Sequence, residues 1–359
     1  MLSPLDLSLD LGRYLALFQS QETGALLDPD EQHCIENSYG NAFYALLCTK
    51  LYQIRAKDHW KDKALRAFHA EMQLAKKHHH IEGIYRWEFK NYAILQMYQL
   101  LKKELTHEQK VEFEHYIHHT KNLCSYQTNY AMMRAFNSRL RYHLFERTKD
   151  KIRAKVELAL VLSRQDQDGF FWDDTNHNSL QYHAYVLSLL AQYYPLDPQQ
   201  RVKEAFLKGV NFLLPFIDQS GDFNYFGRGQ RQVFGYTSFY HALLSAYHLT
   251  GNTYYQKAAE QIATFFFPIL EHKQIVASPN QEQKVGWYPY NNRGDYLSFA
   301  GYYLLLGSII DSQTQPATSS TIFENDRPYN HHYPSLNLFL LREKNFLICL
   351  GGTPGNHAE

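Results

Sequence analysis

Residues 165–190, QDQDGFFWDDTNHNSLQYHAYVLSLL, contain one complete change of texture. A loop of glycine, aromatics and amides runs into a segment that is apolar or aromatic nearly all round a helical wheel. A helix without a polar face is covered on both sides, so this one reads as an inner helix over 179–194. Just upstream, residues 148–164 place Ile152, Val156, Ala159 and Leu160 on one face of a 3.6-residue period, the pattern of a surface helix. The order is outer helix, leading loop, inner helix.

That order recurs along the chain. Residues 58–77 set Trp60, Ala64, Phe68, Met72 and Ala75 against a charged face. Residues 198–217 follow Asp197-Pro198, an N-cap with proline at the first helical position. Residues 231–249 and 293–311 repeat the inner texture. Six leading loops are legible: 22–41 (ETGALLDPDEQHCIENSYGN), 82–91 (EGIYRWEFKN), 124–130 (CSYQTNY), 167–178 (QDGFFWDDTNHN), 220–232 (SGDFNYFGRGQRQ) and 285–295 (VGWYPYNNRGD). Their irregular spacing makes this a repeat of architecture, unlike the regular repeats of an open solenoid. The fold class expected is all-α, an (α/α)6 toroid over residues 1–313. Residues 314–359 read as a linker and the start of a β-structured region. There Leu336, Leu338 and Leu340, then Phe346, Ile348 and Leu350, alternate around a polar turn.

Composition narrows the function. Lysine and arginine total 36 against 36 acids, and the pI is near 7.3, so no basic field exists to gather phosphates and nucleic acid is set aside. No apolar run is long enough for a membrane span, and the N-terminus lacks the blocks of a signal peptide. The chain as written is expected to be cytoplasmic, and periplasmic or secreted if a leader has been removed. Cys34, Cys48, Cys124 and Cys349 form no CxxC pair and are expected to be buried fillers. No metal site or cofactor is expected. The GRG of Gly227–Gly229 follows no strand and is no dinucleotide fingerprint. Tyrosine (28) and phenylalanine (23) are abundant while mean hydropathy is only −0.48, so many rings are expected to be half exposed.

In a toroid the leading loops and the inner-helix N-termini converge on one mouth, where partial positive charge favours anionic or hydroxyl-rich ligands. That mouth is expected to carry Trp172, Trp287 and Tyr290 for sugar C–H faces. Asn129, Arg134, Asp173, Asn178, Tyr182, Arg228, Arg231, Asn292 and Arg293 would serve hydroxyls and carboxylates. The partner expected is an acidic polysaccharide or oligosaccharide; the oligomeric state is open. Two chemistries suit these residue types. Removing the C5 proton of a uronate needs donors for the carboxylate and a base such as a phenol. Hydrolysis needs two carboxylates, for which Asp173 and Asp174, with Glu36 and Glu88, are available. A non-catalytic glycan-binding protein of polysaccharide biosynthesis is a third class.

Tyr182-His183-x-Tyr185 in the first turn of the inner helix resembles the YHxY segment of the heparinase II/III-like and alginate-lyase-like polysaccharide lyases, in which a toroid precedes a β-sandwich. The resemblance is sharp only over about residues 160–245. It implies β-elimination, with His183 neutralising the substrate carboxylate and Tyr236 as base. Tyr225 competes with Tyr236, and His331 or His332 would be a late contributor. The NYFGRGQRQ loop, residues 224–232, departs from the family's pattern.

Overall fold

The computed structural model describes residues 2–36, 38–55, 57–77, 87–119, 127–173, 179–277, 292–313, 328–343 and 346–351. Outer and inner helices alternate through them as α1 (Pro4–Ala16), α2 (Gly40–Arg55), α3 (Asp58–Lys77), α4 (Trp87–Leu101), α5 (His107–His119) and α6 (Thr128–Phe145), followed by α7 (Thr148–Ser163), α8 (Leu180–Tyr193), α9 (Gln200–Leu213), α10 (Val233–Thr250), α11 (Thr253–Glu271) and α12 (Arg293–Gln313). The even-numbered helices form the inner ring. Each packs on the next, and α12 returns to α2, so the (α/α)6 toroid is closed. The cause is the texture seen in the sequence: α10 is buried without interruption from Val233 to Tyr247, whereas α3 buries one stripe that includes Trp60, Ala64, Phe68 and Met72.

Carboxylates close the seam between first and last inner helices. Asp295 accepts the Gly40 N–H at 2.7 Å, and Asp28 accepts the Gly294 N–H at 2.8 Å, so each joins the N-terminus of one helix to the other side of the ring. Gly40 is required there, since a Cβ would lie 2.5 Å from the Asp295 carboxylate. Two leading loops are clasped alike. Gln19 Nε2 donates to the carbonyls of Gly24 and Lys63, and Gln165 Nε2 to those of Gly169 and Ala205. This structural repeat pins each loop to the next outer helix.

Several expectations about phase and exposure are corrected. In α7, Ile152, Val156 and Leu160 face solvent (59 %, 63 % and 39 % exposed) instead of the core. The inward face carries Ala154, Leu158 and Val161 with Asp150 and Glu157, which pair with Arg141 (3.1 Å) and Arg134 (2.9 Å) of α6. Two apolar stripes compete on this helix, and the ion pairs select the one that turns inward. Helix α9 starts at Gln200, not at Pro198, because Asp197 is engaged by Tyr193, Gln199 and Arg139 instead of capping. Many rings expected to be half exposed are dry. Tyr92, Tyr185, Tyr302 and Tyr303, with Phe43 and Phe299, fill the ring's axis. Tyr92 donates to Gln192, which keeps one of these phenols partnered in the dry interior. Cys48 is buried, Cys34 and Cys349 are half-buried, and Cys124 lies outside the described residues.

The expected hairpin exists and has a third strand: β1 (Tyr329–Tyr333), β2 (Leu338–Glu343) and β3 (Phe346–Gly351), antiparallel in that order. Leu340 pairs with Cys349, so Leu338 and Leu340 face the toroid while Phe346, Ile348 and Leu350 face away from it. Arg342 anchors the sheet by donating to the carbonyls of Pro215 and Ile217. No helix among the described residues is long and apolar enough to cross a membrane.

Candidate functional site

Where the N-terminal ends of the inner helices converge, the ring leaves a cavity of about 280 Å3. Every inner helix contributes a side chain: Tyr39 just ahead of α2, Phe89 of α4, Asn129 and Tyr130 of α6, Tyr182 of α8, Phe234 of α10 and Tyr296 of α12. Gln127, Asp173 and Arg228 reach in from the loops. Aromatic walls are set by ring packing, with Tyr39 stacked on Phe89 (4.5 Å, 14°) and Phe89 on Tyr185 (5.6 Å, 2°). Six helix N-termini direct partial positive charge at a volume whose described charged groups are Arg228 and Asp173.

Local sequence explains how those two are held. The Asp173 carbonyl accepts the Thr128 N–H at 2.8 Å, and the Thr128 hydroxyl is bonded to the Trp172 carbonyl, which ties this loop to the first turn of α6. Ser179, the N-cap of α8, donates to the Arg228 carbonyl at 2.6 Å. Gly229, with φ +78°, lets the loop lie against Gln181, where a Cβ would be 2.4 Å from the amide nitrogen. The Arg228 guanidinium is thereby carried over the Tyr182 ring, 5.8 Å from its centroid.

Of the residues predicted from sequence, Asn129, Asp173, Tyr182 and Arg228 meet in this cavity, and others do not. Trp172 is half-buried, edge-on to Phe170 at 5.7 Å. Arg134 is buried against α7 in its double contact with Glu157. Arg231 pairs with Asp222 at 2.9 Å, Arg293 with Asp30 at 3.1 Å, and the Asn292 amide lies 3.5 Å from Asp295. Asn178, Trp287 and Tyr290, with Asp174, lie outside the described residues. Glu88 is buried beside Asn137, and Glu36 pairs with Lys77.

The three residues assigned to the chemistry by resemblance fare differently from Tyr182. His183 is 1 % exposed, accepts the Phe171 N–H on Nδ1 (3.0 Å) and donates from Nε2 to the Gly209 carbonyl (3.1 Å), so both nitrogens are used in holding the loop and α9 to α8. Tyr236 points outward to Phe223, Phe265 and Phe266 and donates to Asp222 at 2.5 Å. Burial, with the Asp222 charge adding to it, pushes this phenol well above its ordinary value. Tyr225 donates to the Phe216 carbonyl, and burial raises its phenol as well. None of the three lines the cavity. His331 and His332 are on β1, where His331 lies 3.8 Å from Asp168.

Sequence reasoning left Tyr39, Phe89, Gln127, Tyr130, Phe234 and Tyr296 without roles. A positional signal existed: each lies within the end of a leading loop or the first turn of the helix that follows it.

His183 gives a pH prediction. Burial lowers its pKa to about 4, so the folded protein keeps it neutral while the unfolded chain takes up a proton below roughly 6.5. Its contribution to stability is therefore complete above about 6.5 and is lost as pH falls toward 4, at up to roughly 1.4 kcal/mol per pH unit. His241, lowered by burial to about 3, has the same sign. Glu88 has the opposite one, since burial raises it to about 7 and its contribution fades as pH rises from 4.5. Urea midpoints should fall more steeply with acidification in the parent than in His183→Gln; equal slopes would refute the assignment.

No protein-family model matches the chain, and no curated protein matches it in sequence. Solved structures do match. An α-1,6-mannanase of glycoside hydrolase family 76 from Salegentibacter sp. superposes with a TM-score of 0.65 at 11 % identity, covering 86 % of this chain and 100 % of that one. A variant of that mannanase in complex with α-1,6-mannotetrose is inactive through replacement of two adjacent aspartates. A sugar epimerase from a ruminal bacterium gives 0.65 at 12 % identity (85 % and 97 % covered), and a polysaccharide lyase gives 0.60 at 11 % (88 % and 99 % covered). At these identities the likeness establishes the toroid fold.

Proposed function

We propose that the chain is a carbohydrate-active enzyme whose cavity holds one uronate unit of an acidic polysaccharide or oligosaccharide and cleaves its linkage by β-elimination. The observation that carries this reading is the Arg228 guanidinium over the Tyr182 ring, in a cavity to which each of the six inner helices or the residue just ahead of it contributes a side chain. At about 280 Å3 that volume is near the lower end of the roughly 300–1,000 Å3 usual for small-molecule sites, a size suited to a single sugar ring. The aromatic walls suit its C–H faces. Asn129, Gln127 and the helix N-termini suit its hydroxyls and carboxylate.

In the proposed step the Tyr182 phenolate takes the C5 proton, and Arg228 supplies the neighbouring positive charge that both phenolate and substrate carboxylate require. The C5–H electrons form the C4–C5 double bond, the C4–O bond breaks, and the departing oxygen recovers the proton from Tyr182. Atoms and charge balance without a cofactor.

Hydrolysis is the second reading, because Asp173 lines the same cavity and Asp174 follows it, as the aspartates of the inactivated mannanase follow one another. Incubation with uronate oligosaccharides separates the two. Elimination yields an ultraviolet-absorbing unsaturated uronate, and Asp173→Asn with Asp174→Asn should still form it. New reducing ends without that absorbance, abolished in the double variant, would replace elimination by hydrolysis.

A further inference from the structure

A second concavity, of about 920 Å3, lies on the outside of the ring between α1 and the first turns of α3, and it shares no residue with the cavity. Its floor is apolar, formed by Leu9 and Trp60, which are 8 % and 3 % exposed, and Leu17 is left 79 % exposed at its margin. Four permanent cations stand around this floor: Arg13 of α1, Arg55 at the end of α2, and Lys57 and Lys63 at the start of α3. No ion pair joins any of them to a carboxylate among the described residues. On the same helix as Lys63, Lys61 pairs with Glu104 and Lys77 with Glu36.

The groove's own two acids offset this charge only in part, two against four cations. Asp6 is fixed by the Ser3 hydroxyl at 2.6 Å in the cap of α1, and Asp10 is paired with Lys273. In a chain whose formal charges sum to zero, a local excess of cations beside an apolar floor costs self-repulsion that an anionic ligand would relieve.

We propose that this groove is a second glycan site, binding an extended acidic chain outside the catalytic cavity. Carboxylates along such a chain would meet Arg13 and Arg55, whose planar forks suit them, and the lysines, while the C–H faces of the sugar rings lie on Leu9 and Leu17. The groove has roughly three times the volume of the cavity, which suits several linked units where the cavity suits one. Choosing a uronate polymer as the ligand rests on the proposed activity; the existence of an anion-binding groove does not.

The test is fluorescence anisotropy with labelled polygalacturonate oligomers, and with neutral mannan oligomers of equal length, on the full chain. Parent, Arg13→Glu/Lys57→Glu and Arg228→Gln are compared, with circular dichroism to confirm folding. The proposal expects salt-sensitive binding of the acidic oligomer that weakens by about tenfold or more in the groove variant, persists in Arg228→Gln, and is absent for the neutral oligomer. Cleavage of a short uronate oligosaccharide should be unchanged in the groove variant. Equal binding by parent and groove variant, or no acidic-oligomer binding by the parent, would overturn the groove. An RNA oligomer of equal charge binding as tightly would overturn its assignment to glycans. Failure of the cavity reading is distinguishable, since it leaves binding intact and gives no cleavage product.

Discussion

Tyr182→Phe is expected to lower formation of the unsaturated product by about 10²–10⁴-fold, the usual worth of a positioned acid–base group, with little change in thermal stability. Phenylalanine retains the edge contact to Phe234 at 6.2 Å and an aromatic face beneath Arg228, so only the hydroxyl is lost. Tyr236→Phe is the matched control. Removing its hydroxyl leaves the buried Asp222 with one partner fewer, which should reduce stability by about 1–3 kcal/mol and leave the turnover of folded enzyme unchanged. Initial rates and thermal melts of both variants decide the matter. If Tyr236→Phe loses turnover while Tyr182→Phe keeps it, the base proposed here is wrong.

Lys90→Met should destabilise the fold by about 3–5 kcal/mol, a large share of the roughly 5–15 kcal/mol that holds a typical domain folded. Lys90 and Glu71 are 4 % and 0 % exposed in their side chains and lie 2.8 Å apart. Glu71 also accepts from Asn41 of α2 at 3.3 Å and from Tyr116 of α5 at 3.4 Å, while Lys90 donates to the Glu36 carbonyl at 3.2 Å and lies over Trp87. Four helices thus share one buried charge pair, and methionine leaves the Glu71 carboxyl buried without its cation. Converting both partners, Lys90→Met with Glu71→Leu, should recover most of the loss, because the desolvated charges then vanish together. Urea denaturation measures both variants. A single variant within about 1 kcal/mol of the parent would show that the pair contributes little.

Much of the architecture was legible because each helix declares its layer by composition. Helix α3 has the predicted bounds, and α8, α10 and α12 begin or end within two residues of theirs, since burial on all sides leaves no polar face to misplace. Proline 198 misled because a good capping pair says nothing about competing partners, and Asp197 found three. The direction of the sheet's residues was equally hidden. Alternation fixes which residues share a face of a strand, and only the pairing of Leu340 with Cys349 decides that Phe346, Ile348 and Leu350 turn outward.

The sequence by itself determined the helical layers, their number and order, and that aromatic, amide-rich loops lead into the inner helices. It could do so because the contrast between a one-sided and an all-round apolar helix is written in composition and period. The tertiary structure decided which side chains reach the cavity. Tyr182 and His183 are adjacent and about 100° apart on one helix, Phe234 and Tyr236 are two residues and about 200° apart on another, and in each case the first lines the cavity while the second packs in the wall. A helix that is apolar all round carries no periodic mark of its rotation. That rotation is set by contacts with partners distant in the chain: Gly209 for His183, Asp222 for Tyr236, and the loop that lays Arg228 over Tyr182.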